Sequence, residues 1–254
     1  MTIKLFFCTL IILFVPVASH AQTLTFYAED LPPYHFKNAR GEASGALIDL
    51  ARSVLSHAQL EGQFEIVPMA RAYKEMQTQP NALMLSLLKT PQRSEQLVWI
   101  ARTYFADAYL VSLADSPITI DTLQSAKQYR VSTIRGYSSE RFLREQGFNE
   151  EENLVLVSHY HQLWQLLYKQ RTDLVLTNTL TLEKEIVSTG LDPRGVAKKL
   201  HLTDFPSELW LAANPKLDAA TVQKLRASVQ HLKQSGGYQQ ILARWKLATP
   251  QSDK

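Results

Sequence analysis

The chain has little cysteine and little glycine, and almost no charge imbalance. One cysteine, Cys8, occurs in 254 residues. A single cysteine closes no intrachain disulfide and makes no thiolate metal cluster. Nine glycines are spread thinly, and none form the glycine-rich loop that cradles phosphate. Lys and Arg total 27 against 24 Asp and Glu, a formal charge of +3. So small a bias gives no electrostatic case for nucleic acid or for an anionic membrane surface. Past residue 21 no apolar run approaches the roughly 18 residues of a membrane span. Internal repeats, low-complexity tracts and a Pro/Gly/Ser linker are also missing, so two lobes, if present, are tightly joined.

The N-terminus reads as a leader. A short basic start ending at Lys4 precedes "LFFCTLIILFVPV", and "ASHA" supplies small residues before a cleavage point after Ala21. At about 13 residues the apolar core is shorter than a spanning anchor needs. Cys8 sits inside this core, with no small-residue run before it, so it is not read as a lipidation site. The expected mature chain starts at Gln22, has no cysteine and carries a charge of +2. It is long enough for one large domain or two lobes, each with its own core.

Apolar periodicity alternates between strand and helix. "LTFYA" reads as a strand, and Leu47, Leu50, Ala51, Val54, Leu55 and Ala58 mark one face of a helix starting near Ser44-Gly45. "QFEIV" is a strand, "MARAYKEMQ" a helix and "ALMLSLL" a strand. This β-α-β-α-β order predicts a parallel sheet with right-handed crossovers. A second set follows: strands at "AYLVSLA", "YRVSTI", "NLVLV" and "DLVLTN", with helices at "TLQSA", "ERFLREQG" and "HQLWQLLYKQ". One more helix follows Asp218, and a last one follows the Gly236-Gly237 break. The fold class is α/β, with two lobes of mostly parallel sheet facing a cleft.

Ligands of open parallel sheets sit beyond the carboxyl ends of the strands. That rule selects residues 29–34, 68–71, 86–93, 136–139 and 177–178, and with them Glu29, Tyr34, Met69, Arg71, Ser86, Arg93, Tyr137, Ser138, Thr177 and Asn178. Arg93 offers a planar fork of donors that fits a carboxylate in two-point contact; the plain alternative is a solvated arginine paired with Glu95. The strand–Gly136–hydroxyl–helix order of "STIRGYSSERF" makes a weak anion site of free N–H groups and hydroxyls, or simply a capped helix. His159 and His161 offer two nitrogen ligands without a third nearby, so neither a metal nor any other cofactor is expected. "GYSSE" does not meet the G-x-S-x-G pattern of a nucleophile turn.

Five stretches, in order, carry a resemblance: "LPPYHFKNARGEASGALIDLARSV", "LLKTPQRSEQLVW", "VSTIRGYSS", "KQRTDLVLTN" and "LKQSGGYQQILARWK". Over nearly its full mature length the chain resembles the periplasmic solute-binding proteins of the amino-acid-binding type, solute-binding family 3. "PMARA", residues 68–72, is similar to a subgroup often encoded without an obvious transporter partner. The resemblance implies a monomeric periplasmic protein with two lobes, residues 22–105 plus 209–254 and residues 106–208, and a hinge crossed twice. It implies a small-molecule ligand, no nucleic acid, and an inner-membrane permease or sensor receptor as partner. By residue, it implies that Arg93 holds a ligand carboxylate, that residues 86–88 with Tyr137 and Ser138 assist, and that Tyr34 lines the pocket. The sequence departs from the family in two places. Asn178 stands where an aspartate would hold the ligand ammonium, and Leu88 stands where a serine is expected; Glu29 is the candidate replacement for the lost negative charge. Two other readings remain: a dehydratase-like enzyme with Glu29 as general acid, and a stand-alone sensing module.

Overall fold

The computed structural model describes residues 23–180 and 182–249. The expected leader, residues 1–21, lies outside the described residues. β1 (Leu24–Ala28) is buried at every position. A small hairpin, β2 (Phe36–Lys37) and β3 (Ala43–Ser44), leads into α1 (Ala46–Ala58), whose Leu47, Leu50, Ala51, Val54 and Leu55 pack on the sheet. β4 (Gly62–Ile66), α2 (Met69–Thr78) and β5 (Ala82–Leu88) follow. Side chains alternate along β1: Phe26 and Ala28 join the core under α1, while Tyr27 joins Ala72 and Met76 of α2 on the other face. After the single turn α3 (Pro91–Ser94), β6 (Val98–Phe105) ends the first pass.

The second set runs β7 (Ala108–Leu113), β8 (Val131–Ile134), α4 (Ser138–Glu145), β9 (Leu154–Val157), α5 (Tyr160–Tyr168), β10 (Leu174–Asn178), α6 (Leu182–Ser188) and β11 (Val196–His201). The chain then returns through β12 (Glu208–Ala213), α7 (Ala219–Gln234) and α8 (Gly237–Arg244). Two five-stranded sheets result, in the orders β4-β1-β5-β12-β6 and β11-β7-β10-β8-β9.

The sheets are mixed. β4, β1 and β5 are parallel, as are β10, β8 and β9, but β12 runs antiparallel to both β5 and β6, and β7 antiparallel to β10 and β11. The antiparallel strands are those where the chain leaves or re-enters a sheet, a reversal that local β-α-β periodicity does not encode. β6, β11, β12 and α6 were not visible in the sequence pattern. β6 and β11 are sheet edges, half exposed, and charges such as Lys198 and Lys199 dilute their apolar signal. The short helix expected at "TLQSA" is a 3-10 turn over Ser125–Gln128.

Gly45 fixes where the first loop meets α1. Ala46 N–H donates to Pro33 O (2.9 Å) and Leu47 N–H to Tyr34 O (2.8 Å), so the loop lies across the start of the helix. A Cβ at Gly45 would stand 2.6 Å from the Tyr34 carbonyl carbon and 2.8 Å from the His35 nitrogen, at a φ of +125°. Gly41 also has positive φ, +78°, but nothing lies within 4 Å of its Cβ position. Gly45→Ala is therefore expected to cost about 3 kcal/mol or more, and Gly41→Ala about 1 kcal/mol. Urea midpoints of the two variants check this, and equal losses would contradict the close approach.

Candidate ligand-binding cleft

The loops after β1, β4, β5, β8, β9 and β10 line one cavity of about 750 Å³ between the two sheets. Its size is that of a small-molecule site. Glu29, Tyr34, Met69, Ser86, Arg93, Tyr137, Ser138, Thr177 and Asn178 all contribute to its wall. Arg71 does not. Its side chain is 68% exposed and pairs with Glu75 at 3.8 Å. The pitch of α2 buries Ala72 and Met76 and turns Arg71 to solvent, while Met69 faces the cavity.

Arg93 is half-buried on α3. Its guanidinium donates to Leu88 O (3.2 Å), lies 4.9 Å from the centre of the Tyr73 ring and reaches Ser138 Oγ across the cleft at 3.5 Å. Burial pulls its pKa down from the ordinary arginine value, and the polar end of the Tyr73 side chain opposes that. A guanidinium stays charged under such a shift. The Leu88 carbonyl and the Tyr73 face hold the fork in position while one edge points toward the second sheet.

The anion-friendly helix start is partly used by its own helix. Gly136 N–H donates to Glu140 Oε2 (2.6 Å), and Tyr137 N–H to Ile134 O (3.3 Å). Ser139 Oγ is bonded to Thr133 Oγ1 at 2.6 Å. The hydroxyls of Tyr137 and Ser138 are the groups that reach the opposite lobe. Tyr137 Oη makes a long contact, 3.4 Å, to Glu29 Oε2. Asn178 Oδ1 accepts the Leu180 N–H at 2.9 Å, which closes the turn after β10.

His35, on the wall of the cleft, is only 1% exposed. Its Nδ1 is 2.6 Å from Glu29 O and its Nε2 2.6 Å from Ser86 Oγ. A carbonyl oxygen only accepts, so Nδ1 carries the proton. Burial holds the ring neutral by lowering its pKa to about 4. Nε2 is then the acceptor and the Ser86 hydroxyl the donor. The Glu29 side chain shows the opposite shift, up to about 7, chiefly from burial and then from the Glu185 carboxylate, with the Tyr137 hydroxyl opposing. Glu185 in turn accepts from Trp164 Nε1 at 2.9 Å.

Sequence reasoning missed His35, Tyr73, Tyr160 and Glu185. His35 directly follows Tyr34 in a loop already selected, so its position was available, but its burial was not. Glu185 lies on α6, which was not recognised as a helix. Among the described residues no three His, Cys, Asp or Glu are placed to hold a metal ion. None of the described helices is long and apolar enough to cross a membrane.

The two shifted groups bend stability in opposite directions. His35, with a folded value near 4 against an ordinary 6.5, stabilises the fold fully above 6.5 and less as pH falls. Glu29, near 7 against an ordinary 4.5, favours the fold below 4.5 and less as pH rises. Each spans about 3 kcal/mol, so the two largely cancel in the wild type. In Glu29→Gln only the histidine term remains. Relative to wild type, the variant is expected to lose about 3 kcal/mol between about pH 7.5 and about pH 4.5. Urea unfolding across that range checks it; a constant difference would mean that Glu29 titrates normally.

Known proteins resemble this chain in sequence and in fold. The histidine-binding periplasmic protein of Salmonella typhimurium is 31% identical over 111 residues, 43% of this chain and 42% of that protein. The lysine/arginine/ornithine-binding periplasmic protein of Escherichia coli K12 is 26% identical over 168 residues, 64% of this chain and 61% of that protein. The matches thus span less than two thirds of either relative. A crystallised histidine kinase sensor domain with similarity to periplasmic binding proteins superposes with a TM-score of 0.75 at 17% identity, over 88% of this chain and 96% of that one. The description of bacterial extracellular solute-binding proteins, family 3, matches residues 25–248, and the chain therefore belongs to that family.

Proposed function

We propose that the protein is a periplasmic solute-binding protein that closes two lobes over a small, carboxylate-bearing, amino-acid-like solute. The lobes are residues 22–105 plus 209–254 and residues 106–208. The hinge lies at the two connections between the sheets, residues 106–107 and 202–207. The observation that carries the reading is Arg93, a guanidinium whose Nη1 is anchored on Leu88 O and also reaches Ser138 Oγ across a cavity of small-molecule size. A carboxylate placed there takes two N–H donors from one side and a hydroxyl from the other. The relatives' named ligands, histidine and the basic amino acids, are of this class. Delivery to an inner-membrane permease or to a sensor receptor fits the same closure.

One observation favours a second reading. Glu29, held near pKa 7 in an enclosed cleft, is poised as a general acid. An enzyme would consume its ligand, whereas a binding protein returns it unchanged, so mass spectrometry of the ligand after overnight incubation separates the two.

A thermal-shift screen of amino acids, organic acids, oligopeptides and sugars supplies the ligand, since a solute at 100 times its Kd adds about 2.7 kcal/mol. Calorimetric titration with the best hit then tests the arginine. Arg93→Ala is expected to weaken binding by about 30-fold or more. Arg93→Lys restores part of it, because an ammonium lacks the two-point fork. Wild-type affinity in Arg93→Ala would make the arginine a bystander.

A further inference from the structure

We propose that the cleft holds the cationic group of its ligand on the first lobe, in a seat formed by the Glu29 carboxylate and a Ser86 hydroxyl that His35 fixes as a hydrogen-bond acceptor. This rests on the binding reading above and narrows it to ligands that carry both an amine and a carboxylate.

The direction of two hydrogen bonds carries the argument. Glu29 O accepts from His35 Nδ1, so His35 Nε2 accepts from Ser86 Oγ. A hydroxyl has one proton, and that of Ser86 is spent on the imidazole. What Ser86 turns toward the cleft is lone pairs. Those pairs match a ligand N–H and repel a ligand carboxylate. Ser86 and the carboxyl group of Glu29 line the same cavity, and the Glu29 backbone and the Ser86 hydroxyl are one imidazole ring apart. His35 acts as a positioning residue: it touches the ligand's partner and sets that partner's polarity.

The surroundings agree with a cation. Tyr137 and Tyr160 are 40% and 42% exposed, two of the three large apolar side chains described as exposed, and both line the cleft. Exposed aromatic faces beside carboxylates suit an ammonium. Glu185 adds a second negative group facing Glu29 from α6. Of the cleft's positive groups, Arg93 stands on the carboxylate side, while Lys37 and Lys184 are exposed and Lys184 faces Asp30.

One helix start meets both sides of the proposed site. Tyr137 reaches Glu29 and the next residue, Ser138, reaches Arg93. The start of α4 thus touches both the anionic group and the cationic group of the first lobe. The seat relocates the ammonium partner from the end of β10, where Asn178 carries no charge, to the first lobe.

The test is calorimetric titration of the whole mature protein with the twenty common L-amino acids and, for each, the same acid lacking its α-amine. At least one amino acid is expected to bind, with its des-amino counterpart about 100-fold weaker or more. Glu29→Gln and Ser86→Ala should each weaken the amino acid by about tenfold or more and leave the des-amino acid within about threefold. Ser86→Thr, which keeps the hydroxyl, should restore the preference. His35→Gln should narrow the ratio between the two probes; should that variant not fold, the Glu29 and Ser86 variants decide alone. The seat is overturned if des-amino acids bind as tightly as amino acids, if both variants keep the wild-type ratio, or if only carboxylates without an amine bind; in each case binding of a carboxylate-bearing solute survives. If nothing in this panel or in the wider screen binds, both fall.

Discussion

Two short connections between the sheets govern the rest of the molecule. Ala106 N–H donates to Ser207 O at 2.7 Å, and Leu202 N–H to Ala108 O at 2.9 Å, so the outgoing and returning chains are tied to each other where they cross. The sheets are thereby set with the carboxyl ends of β1, β4 and β5 toward those of β8, β9 and β10. Parallel strands place their following loops at that end, and the loops of both sheets converge on one cavity. The polar groups of the cleft are a consequence of this arrangement. Arg93 needs the turn after β5, Ser138 the turn after β8, and Glu29 the end of β1.

Within the cleft, burial opposes charge on three groups, with a different outcome at each. His35 is neutral because water is excluded from it, and its neutrality fixes the direction of two hydrogen bonds. Glu29, partly buried in the cleft wall, is pushed up to about 7 by desolvation, helped by Glu185. Arg93 keeps its charge because a guanidinium spreads it and because the Tyr73 ring and the Leu88 carbonyl lie against it. Three residues under one physical condition thus take three different protonation states, and the cleft gains a cationic and an acidic side.

Much of this could be read in the sequence where a local rule applied. The periodicity of Leu47 to Ala58 gave α1, the apolar runs gave β1 and β5, and the rule of strand carboxyl ends led to candidate residues that line the cavity, Arg71 excepted. Arg71 shows the limit of choosing a loop whole, since one turn of helix sends neighbouring side chains in opposite directions. What was not legible depends on distant parts of the chain. β12 pairs with β5 and β6 across more than a hundred residues, and nothing near Trp210 announces that. His35 reads as one more loop histidine until Ser86, 51 residues away, closes over its Nε2.

The most direct test of the account is a crystal structure of the protein with the tightest-binding amino acid. The account predicts the ligand carboxylate against the Arg93 guanidinium and Ser138, and its ammonium nitrogen within hydrogen-bond distance of Ser86 Oγ and a Glu29 carboxylate oxygen. An ammonium lodged at Asn178 with Ser86 untouched, or a ligand lying outside the cleft, would contradict it.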